Sequence, residues 1–451
     1  MMTVCACLWL GLFPLLQFGT YETITYNKWT VMLLLVCLTV FLFADRGKAP
    51  ADRKKKEVSP SRPPVYIAAA LAGWIVLSNL CSPYASMVWF FGGTYRMEGL
   101  LSQLCYLGLF FLFASARVRR KPVLISAAAG LAGFFAVVML QRSGINALGL
   151  YPPGNSFDNA LDFQGTIGNI DMDTGYLCLM AGLFLTELVA VLPAFIRDIA
   201  PAGQPASLSR PMALRLLYLL VLAAGLGLSV FLILTMGVQF GAITLAVLAL
   251  VTLFRFLPRK WRIPVLAFLL VLALALIWFW PGQSGGLWEL KEILHGRAQL
   301  SFGSDRLAVW LYSLKLAPER LLLGGGSDTF NLRFNRFIAA NGLVIPTEQN
   351  GVPLPSIFDT PHNEYIAHLI NHGLPAMLLF IALIASAAFF RRKAPRIPKA
   401  PKSREDRLKS LSPWAAAVLC YAVQAFFSFS VPLVAPMFWV VMGICVGDDV
   451  P

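Results

Sequence analysis

Three of the chain's four histidines fall in one short stretch, DTPHNEYIAHLINHGLPAM (359–377). A neutral imidazole accepts a proton near physiological pH, so His362 is a candidate general base that would deprotonate a hydroxyl nucleophile. With Thr360 as N-cap and Pro361 at the first helical position, His362 is predicted to lie in the first turn of a helix, where the dipole disfavours the charged imidazole. The alternative is an interfacial histidine that caps this helix or pairs with Glu364.

The other two histidines of this stretch, His368 and His372, stand four residues apart, a spacing that can bind zinc. No HExxH motif and no third ligand accompany them. We therefore predict no metal site and interpret His372 and the following Gly373 as a helix end.

Two arginines in the same region are candidates for binding phosphate. Arg306 opens DRLAVWLYSLKLA, and its planar guanidinium can donate two hydrogen bonds to a phosphate or a diphosphate. The alternative is an arginine at the membrane surface that pairs with Asp305. Arg297 is a second candidate with a less informative context.

A third arginine, Arg96, lies in GGTYRMEGLL at the mouth of a predicted membrane span. An ionisable residue in that position suggests a functional role. The alternative is an ion pair with Glu98.

The glycines of GGGSD (324–328) raise the question of an anion site, because backbone N–H groups at a helix start can bind anions. The segment lacks the Gly-Lys-Ser/Thr of a P-loop, so a turn is the preferred interpretation. Ser327 or Asp328 is then the predicted N-cap of a helix with Phe330, Phe334 and Phe337 on one face.

The elements that position these residues are membrane helices. The chain of 451 residues is 58% hydrophobic and 13% charged, and its apolar runs of roughly 17–23 residues are long enough to cross a bilayer. We predict one all-α domain over 1–451, a polytopic membrane helical bundle without a separate soluble domain. Its twelve spans are predicted near 3–18, 28–44, 65–81, 99–114, 122–140, 173–194, 213–234, 237–254, 263–281, 374–390, 412–429 and 431–447.

The net charge of +14 is concentrated between these spans. Basic clusters at 45–64, 116–122, 255–262 and 391–411 indicate cytoplasmic loops under the positive-inside rule, with both termini cytoplasmic. We infer contact with membrane lipids and no nucleic-acid partner. The eight cysteines are scattered and indicate no disulfide framework.

The loop 282–373 is predicted to be extracytoplasmic. It carries seven Lys/Arg and eight Asp/Glu, in contrast with the basic loops. Within it, Leu307, Trp310, Leu311 and Leu314 form one apolar stripe at helical spacing. This pattern predicts a short amphipathic helix on or near the membrane surface.

Several stretches, in their order along the chain, resemble the O-antigen ligase-like superfamily of bacterial membrane glycosyltransferases. That group includes O-antigen ligases, O-antigen polymerases and protein O-oligosaccharyltransferases. The matching stretches are GTYRMEGL, GTIGNIDMDTGYL, SDRLAVWLYSLKLAPERLLLGGGSDTFNLRF, PHNEYIAHLINHGLPAMLLF and the closing QAFFSFSVPLVAPMFWVVMGI.

The resemblance implies a GT-C-like bundle in the bacterial inner membrane with an active site that faces outward. The family reaction moves a glycan from an undecaprenyl diphosphate carrier to an acceptor hydroxyl of a glycan, a glycolipid or a protein. It implies His362 as the base, Arg306 as the residue that engages the diphosphate, and no metal or nucleotide cofactor. We add Arg96, Arg297, Asn363 and Tyr365 as candidate substrate-binding residues.

Two departures from the family pattern leave alternatives open. In TMGVQFGAIT (235–244), Gln239 and Phe240 stand where the family often has Ser-Arg, and GNIDMD replaces a GNPN-like sequence. Either Arg96 or Arg297 supplies the missing charge, or the chain is a non-catalytic relative that only binds a glycan or a partner. A transporter or flippase for amphipathic lipids is the alternative from another class.

Overall fold

The computed structural model describes residues 1–46, 62–84, 86–93, 96–152, 163–199, 210–343, 345, 348–349, 352–353, 358–389 and 412–450. Of the four basic clusters predicted to be cytoplasmic, 391–411 lies outside the described residues, as does 47–61 within 45–64.

Helices make up about 75% of the structure, which confirms the all-α prediction. Two short two-stranded pairings accompany the helices: β1 (Arg117–Arg119) runs parallel to β4 (Asp448–Val450), and β2 (Glu348–Gln349) runs antiparallel to β3 (Val352–Pro353). The helices are α1 (Met2–Cys7, continued by π-helical Leu8–Leu12), α2 (Ile24–Arg46), α3 (Arg62–Leu80), α4 (Ser86–Phe91), α5 (Leu100–Ala114), α6 (Arg120–Arg142), α7 (Ile170–Ile199), α8 (Arg210–Thr235), α9 (Gln239–Phe256), α10 (Arg259–Trp278), α11 (Gly286–Leu294), α12 (Arg306–Leu316), α13 (Phe330–Ala340), α14 (Glu364–His372), α15 (Leu374–Phe389), α16 (Pro413–Gln424) and α17 (Ala435–Val446).

Six of the described helices are long and apolar enough to cross a membrane. They coincide with α2, α3, α6, α7, α8 and α10. Six further apolar helices have 10–17 residues, and each overlaps one of the remaining predicted spans. The protein therefore has several membrane helices, while the count of twelve spans stays a prediction.

The first predicted span, 3–18, ends earlier than expected. Its π-helical continuation stops at Leu12, and the carbonyl groups of Phe13 and Pro14 lie just beyond this helix end. The buried ammonium of Lys28 donates to both, at 2.7 and 2.9 Å. A cation at a helix C-terminus satisfies these carbonyls and interacts favourably with the helix dipole.

The last two predicted spans, 412–429 and 431–447, are also shorter in the structure. Helix α16 ends at Gln424 and α17 begins at Ala435. We call the ten residues between them the α16–α17 connection (425–434). These residues are so apolar that the sequence predicted membrane helix here. Their side chains instead contact the loop that precedes α14, helix α12 and the start of α9.

The helices run between two ends of the bundle. At one end, helices α5, α7 and α9 begin at Leu100, Ile170 and Gln239. At the other end, α5 and α9 stop next to the basic segments 116–122 and 255–262. We call these the site end and the basic end.

The described residues of the loop 282–373 form a small hydrophobic core of their own at the site end. Phe330 and Phe334 stack at 4.8 Å, and Phe337 packs against the same cluster, which confirms that these phenylalanines share one face. Helix α12 contributes a different face from the predicted apolar stripe, because Leu311 and Leu314 are 42% and 52% exposed. These exposed leucines are the surface that we predict to meet the membrane.

Candidate active site

His362 lies one residue before the cap of α14 and not in the first turn of a helix. It has a positive φ of 47°, and α14 begins at Glu364. The side chain of Asn363 accepts a hydrogen bond from the backbone N–H of Ile366 at 3.0 Å, the geometry of an N-cap. Asparagine is a stronger cap than threonine, so the predicted cap Thr360 instead accepts the backbone N–H of His362 at 3.3 Å.

Arg306 and His362 meet at one carboxylate. Arg306 Nη2 lies 3.1 Å from Asp171 Oδ2, and His362 Nδ1 lies 3.8 Å from the same oxygen. The structure thus brings together the two residues that the sequence selected for catalysis. Asp171 thus takes the place of the predicted alternative partners, which were Asp305 for Arg306 and Glu364 for His362.

Asp171 is the residue of this cluster that the sequence analysis missed. It is the second residue of α7, where a negative charge is favoured by the helix dipole. The side chain of Gln424 donates to its backbone carbonyl at 2.9 Å, which fixes the start of α7 against the end of α16. The only signal in the sequence was the departure of GNIDMD from the family pattern.

Arg96 approaches His362 from another side. Its Nε lies 3.1 Å from Asp328 Oδ1, and its Nη1 lies 3.9 Å from Asp359 Oδ2. The Arg96 guanidinium carbon is 4.7 Å from the ring centre of Phe429, and the His362 ring meets the same phenylalanine at 5.0 Å. Phe429 therefore lies against both groups.

The predicted alternative partner of Arg96, Glu98, is buried elsewhere. Its carboxylate accepts hydrogen bonds from the side chains of Gln103, at 2.8 Å, and Tyr106. Burial raises the pKa of Glu98 to about 8, while the Tyr106 hydrogen bond and the charge of Arg96 act in the opposite direction. The ion pair expected between Arg96 and Glu98 is replaced by the pair with Asp328.

The environment keeps the His362 imidazole neutral. Burial, followed by the positive charges of Arg306 and Arg96, lowers the pKa of His362 to about 3. The side chain as a whole is 34% exposed, whereas its Nδ1 is inaccessible, so the exposed part of the ring lies away from Asp171. A neutral ring with one open edge is able to accept a proton.

Three nitrogen atoms of this cluster have no hydrogen-bond partner among the described residues. They are His362 Nδ1, Arg306 Nε and Arg96 Nη1, and each is inaccessible to solvent. Buried polar groups are normally paired, so a donor atom without an acceptor on each guanidinium group, in addition to its ion pair, suits an anionic ligand.

The other predicted substrate-binding residues are Arg297, Asn363 and Tyr365, and they differ in their relation to the cluster. Arg297 is 58% exposed and forms an ion pair with Glu292, whose pKa it lowers; no described contact joins it to the cluster. The Asn363 side chain is used as the helix cap, and the Tyr365 hydroxyl donates to the backbone carbonyl of Ala422 at 2.7 Å. Asn363 and Tyr365 therefore position the loop that carries His362.

Phe240, found where the family often has arginine, contacts the cluster directly. The Arg306 guanidinium carbon lies 5.1 Å from the Phe240 ring centre, and the other face of the ring stacks on Phe427 at 4.2 Å. The contact between Arg306 and the ring is a cation–π interaction.

The GGGSD turn supports α14 and does not offer an anion site. Its amides at Gly325 and Gly326 donate to the carbonyls of Ile370 and Asn371, and that of Ser327 donates to the Asn79 side chain. The Ser327 hydroxyl also meets His372 Nε2 at 2.9 Å. In the described parts of the chain, no group of three or more His, Cys, Asp or Glu side chains is arranged to hold a metal.

The site of this helical membrane protein thus combines a neutral imidazole with two guanidinium groups, which share Asp171 or Phe429 as a neighbour with it. The O-antigen ligase family model matches residues 220–381, a segment that includes Phe240, Arg306 and His362. This match supports the resemblance of the chain to the O-antigen ligase-like superfamily. Arg96 and Asp171 lie outside the matched segment. A comparison with curated proteins finds no match to the chain.

Proposed function

We propose that this protein transfers a glycan from an undecaprenyl diphosphate carrier to an acceptor hydroxyl in surface polysaccharide assembly. The acceptor is a second glycan, a glycolipid or a protein side chain. The reaction takes place on the outer side of the bacterial inner membrane. The match of residues 220–381 to the O-antigen ligase family supports this assignment.

The observation that carries the proposal is the convergence of His362, Arg306 and Arg96 on one place, with unpaired donor atoms on both guanidinium groups. A diphosphate carries two negative charges. Each of its phosphates can accept two hydrogen bonds from one planar guanidinium group, so two arginines suit it. An acceptor hydroxyl needs a neutral base, and the low pKa of His362 keeps it neutral.

The proposed step is one displacement. The acceptor oxygen forms a bond to the anomeric carbon while the bond from that carbon to the diphosphate oxygen breaks. The acceptor proton goes to the open edge of His362, and the leaving undecaprenyl diphosphate carries the bonding electron pair. Arg306 and Arg96 balance its developing charge in a site of low dielectric.

Binding of the donor would also strengthen the base. Burial and, after it, the two guanidinium charges lower the pKa of His362, and a bound diphosphate would neutralise those charges. The pKa of His362 would then rise toward its ordinary value, which makes the imidazole a better proton acceptor when the donor is in place. Asp171, at 3.8 Å from Nδ1, favours the tautomer with its proton on that nitrogen and leaves Nε2 to act.

Arg96 also supplies the positive charge that the family often has in a mid-chain arginine. It supplies the second guanidinium at the cluster, whereas Arg297 is exposed and paired with Glu292. The departure at Gln239 and Phe240 therefore does not by itself argue for a non-catalytic relative.

The test is to express His362→Ala and Arg306→Ala in a strain that lacks the native gene and to measure surface glycan. We expect each variant to lose at least about 100-fold of the product, because general-base and charge-stabilising groups contribute factors of this size. Arg297→Ala is the matched control and should retain the product. Normal glycan from both site variants would exclude the enzyme, and accumulation of untranslocated lipid-linked glycan on the inner side would favour a flippase.

A further inference from the structure

Four aromatic rings form a continuous cluster beside the candidate site: Trp310, Phe426, Phe427 and Phe240. Trp310 meets Phe426 edge-on at 5.3 Å, Phe426 meets Phe427 edge-on at 5.1 Å, and Phe427 stacks on Phe240 at 4.2 Å. We call these four residues the aromatic cluster.

Both ends of the aromatic cluster are fixed to the reacting groups. Phe240 lies against the guanidinium of Arg306. Trp310 donates its indole N–H to the backbone carbonyl of Pro361 at 2.8 Å, directly before His362. The rings therefore keep a defined position relative to the proposed base and to the proposed diphosphate ligand.

One member of the aromatic cluster is open to its surroundings. Phe426 is 45% exposed, although its neighbours in the chain, Ala425 and Phe427, are buried and partly buried. It lies in the α16–α17 connection between Gln424, which holds Asp171, and Phe429, which contacts Arg96 and His362. An exposed ring in such a constrained backbone is available to a ligand at little cost in ordering.

The chemistry of an open aromatic face points to a sugar. The axial C–H groups of a pyranose pack on the negative face of an aromatic ring while its hydroxyl groups stay at the periphery, free to make hydrogen bonds. We propose that Phe426 and Trp310 bind a pyranose ring of the glycan next to the bond that is exchanged, with Phe427 and Phe240 as the support that holds this subsite against Arg306. The inference rests on the proposed function and adds the subsite that places the sugar.

The first test separates an aromatic requirement from an apolar one. Phe426→Leu keeps an apolar side chain but removes the aromatic face, and Phe426→Tyr keeps that face. We expect surface glycan to fall about 10-fold with leucine and to return with tyrosine. Phe268→Leu is the matched control, since Phe268 is 64% exposed on α10 and takes no part in the aromatic cluster. Wild-type glycan from Phe426→Leu would overturn the proposal.

The second test identifies the occupant in living cells. A photoreactive p-benzoylphenylalanine is placed at position 426, or at 268 as the control, in the His362→Ala background that keeps the substrates bound. A glycan adduct at 426 and not at 268 supports the proposal. An adduct that also carries polyprenyl diphosphate assigns the ring to the donor, and one without it assigns the ring to the acceptor. An adduct with phospholipid alone would show that the aromatic cluster is a lipid contact.

The two proposals fail in different ways. If His362→Ala makes normal glycan, the proposed function fails whatever the result at Phe426. If His362→Ala abolishes the product while Phe426→Leu does not reduce it, the function stands and only the sugar subsite fails.

Discussion

The charge state of His362 is set by its neighbours more than by its own chemistry. An isolated imidazole is half protonated near pH 6.5, but burial and the two guanidinium groups lower the pKa of His362 to about 3. The pH at which the proposed transfer reaction slows in acid should therefore respond to each neighbouring charge.

Arg96→Gln tests this dependence. Removing one positive charge raises the pKa of His362, so the imidazole becomes protonated, and unable to act as a base, at a higher pH. We expect the acidic limb of the transfer rate against pH to move to higher pH and the maximal rate to fall about 10-fold or more. Transfer in isolated membranes across a pH series gives both values. Arg297→Gln should leave the limb in place, and a shift of the Arg96→Gln limb to lower pH would contradict the electrostatic argument.

Asp171→Asn tests the carboxylate that the sequence analysis missed. The substitution keeps the shape of the side chain but removes the charge that holds Arg306 and faces His362. We expect transfer to fall roughly 10- to 100-fold, since charge-assisted hydrogen bonds contribute about 1.5–3 kcal/mol, with little change in the amount of folded protein. The control is Asp198→Asn, which alters an exposed ion pair with Arg215 at the basic end of α7. Full activity of Asp171→Asn would remove Asp171 from the mechanism.

The helices α14 and α15 show how an element fixes the position of a residue. The backbone carbonyls of Asn371 and His372, at the end of α14, accept hydrogen bonds from Ser78 and Trp74 of α3. Gly373 then joins α14 to α15 with a φ of 86°. The loop with His362 leads into the start of α14, and α14 is attached to α3 at its other end.

Gly373→Ala should break this attachment. A Cβ at this position would meet the carbonyl oxygen of Leu322, and the backbone conformation already disfavours any side chain. We expect a loss of at least about 1–3 kcal/mol in the free energy of unfolding, measured as a lower thermal midpoint in detergent. Gly227→Ala is the matched control, because that helical glycine has open space around it. Equal midpoints for the two variants would mean that the junction tolerates a side chain.

The sequence predicted the type of most elements but not the ends that matter for the site. Hydrophobic runs located the membrane helices because a bilayer demands long apolar segments. The same apolar character hid the α16–α17 connection, since Phe426, Phe427 and Phe429 are equally compatible with helix. At α14, Thr360 and Pro361 resembled a helix start, and the competing cap at Asn363 was decided by the backbone turn at His362.

The site itself was predictable only in part. Arg306 and His362 were candidates from their residue types and positions, and the family resemblance assigned them roles. Their common neighbour Asp171 is 135 residues from Arg306 in the chain, and no local pattern indicates a contact at that separation. Phe240 was noticed as a departure from the family, but only the structure shows that its ring lies against Arg306.

At the scale of the whole molecule, the candidate active site and the described basic clusters lie at opposite ends of the bundle. Arg96, Asp171 and His362 lie at the site end, whereas the described parts of the basic clusters at 116–122 and 255–262 lie at the basic end. Under the positive-inside rule this arrangement predicts that the site faces outward.

Thiol labelling tests this orientation. In a background without native cysteines, Ser301→Cys lies in the long loop and Lys260→Cys lies at the basic start of α10, and both positions are exposed. We expect a membrane-impermeant maleimide to label position 301 in intact spheroplasts and position 260 only after permeabilisation. The reverse pattern would place the site on the cytoplasmic side and would exclude a reaction on translocated carrier lipids.

The end of α16 and the start of the α16–α17 connection make several contacts in close succession along the chain. Gln424 bonds to the backbone of Asp171, Phe427 stacks on Phe240, and Phe429 touches Arg96 and His362. Because these contacts follow one another within six positions, a single inserted or deleted residue would displace each side chain from its partner at the same time. Homologous chains are therefore freer to exchange residues along this stretch than to alter how many it contains.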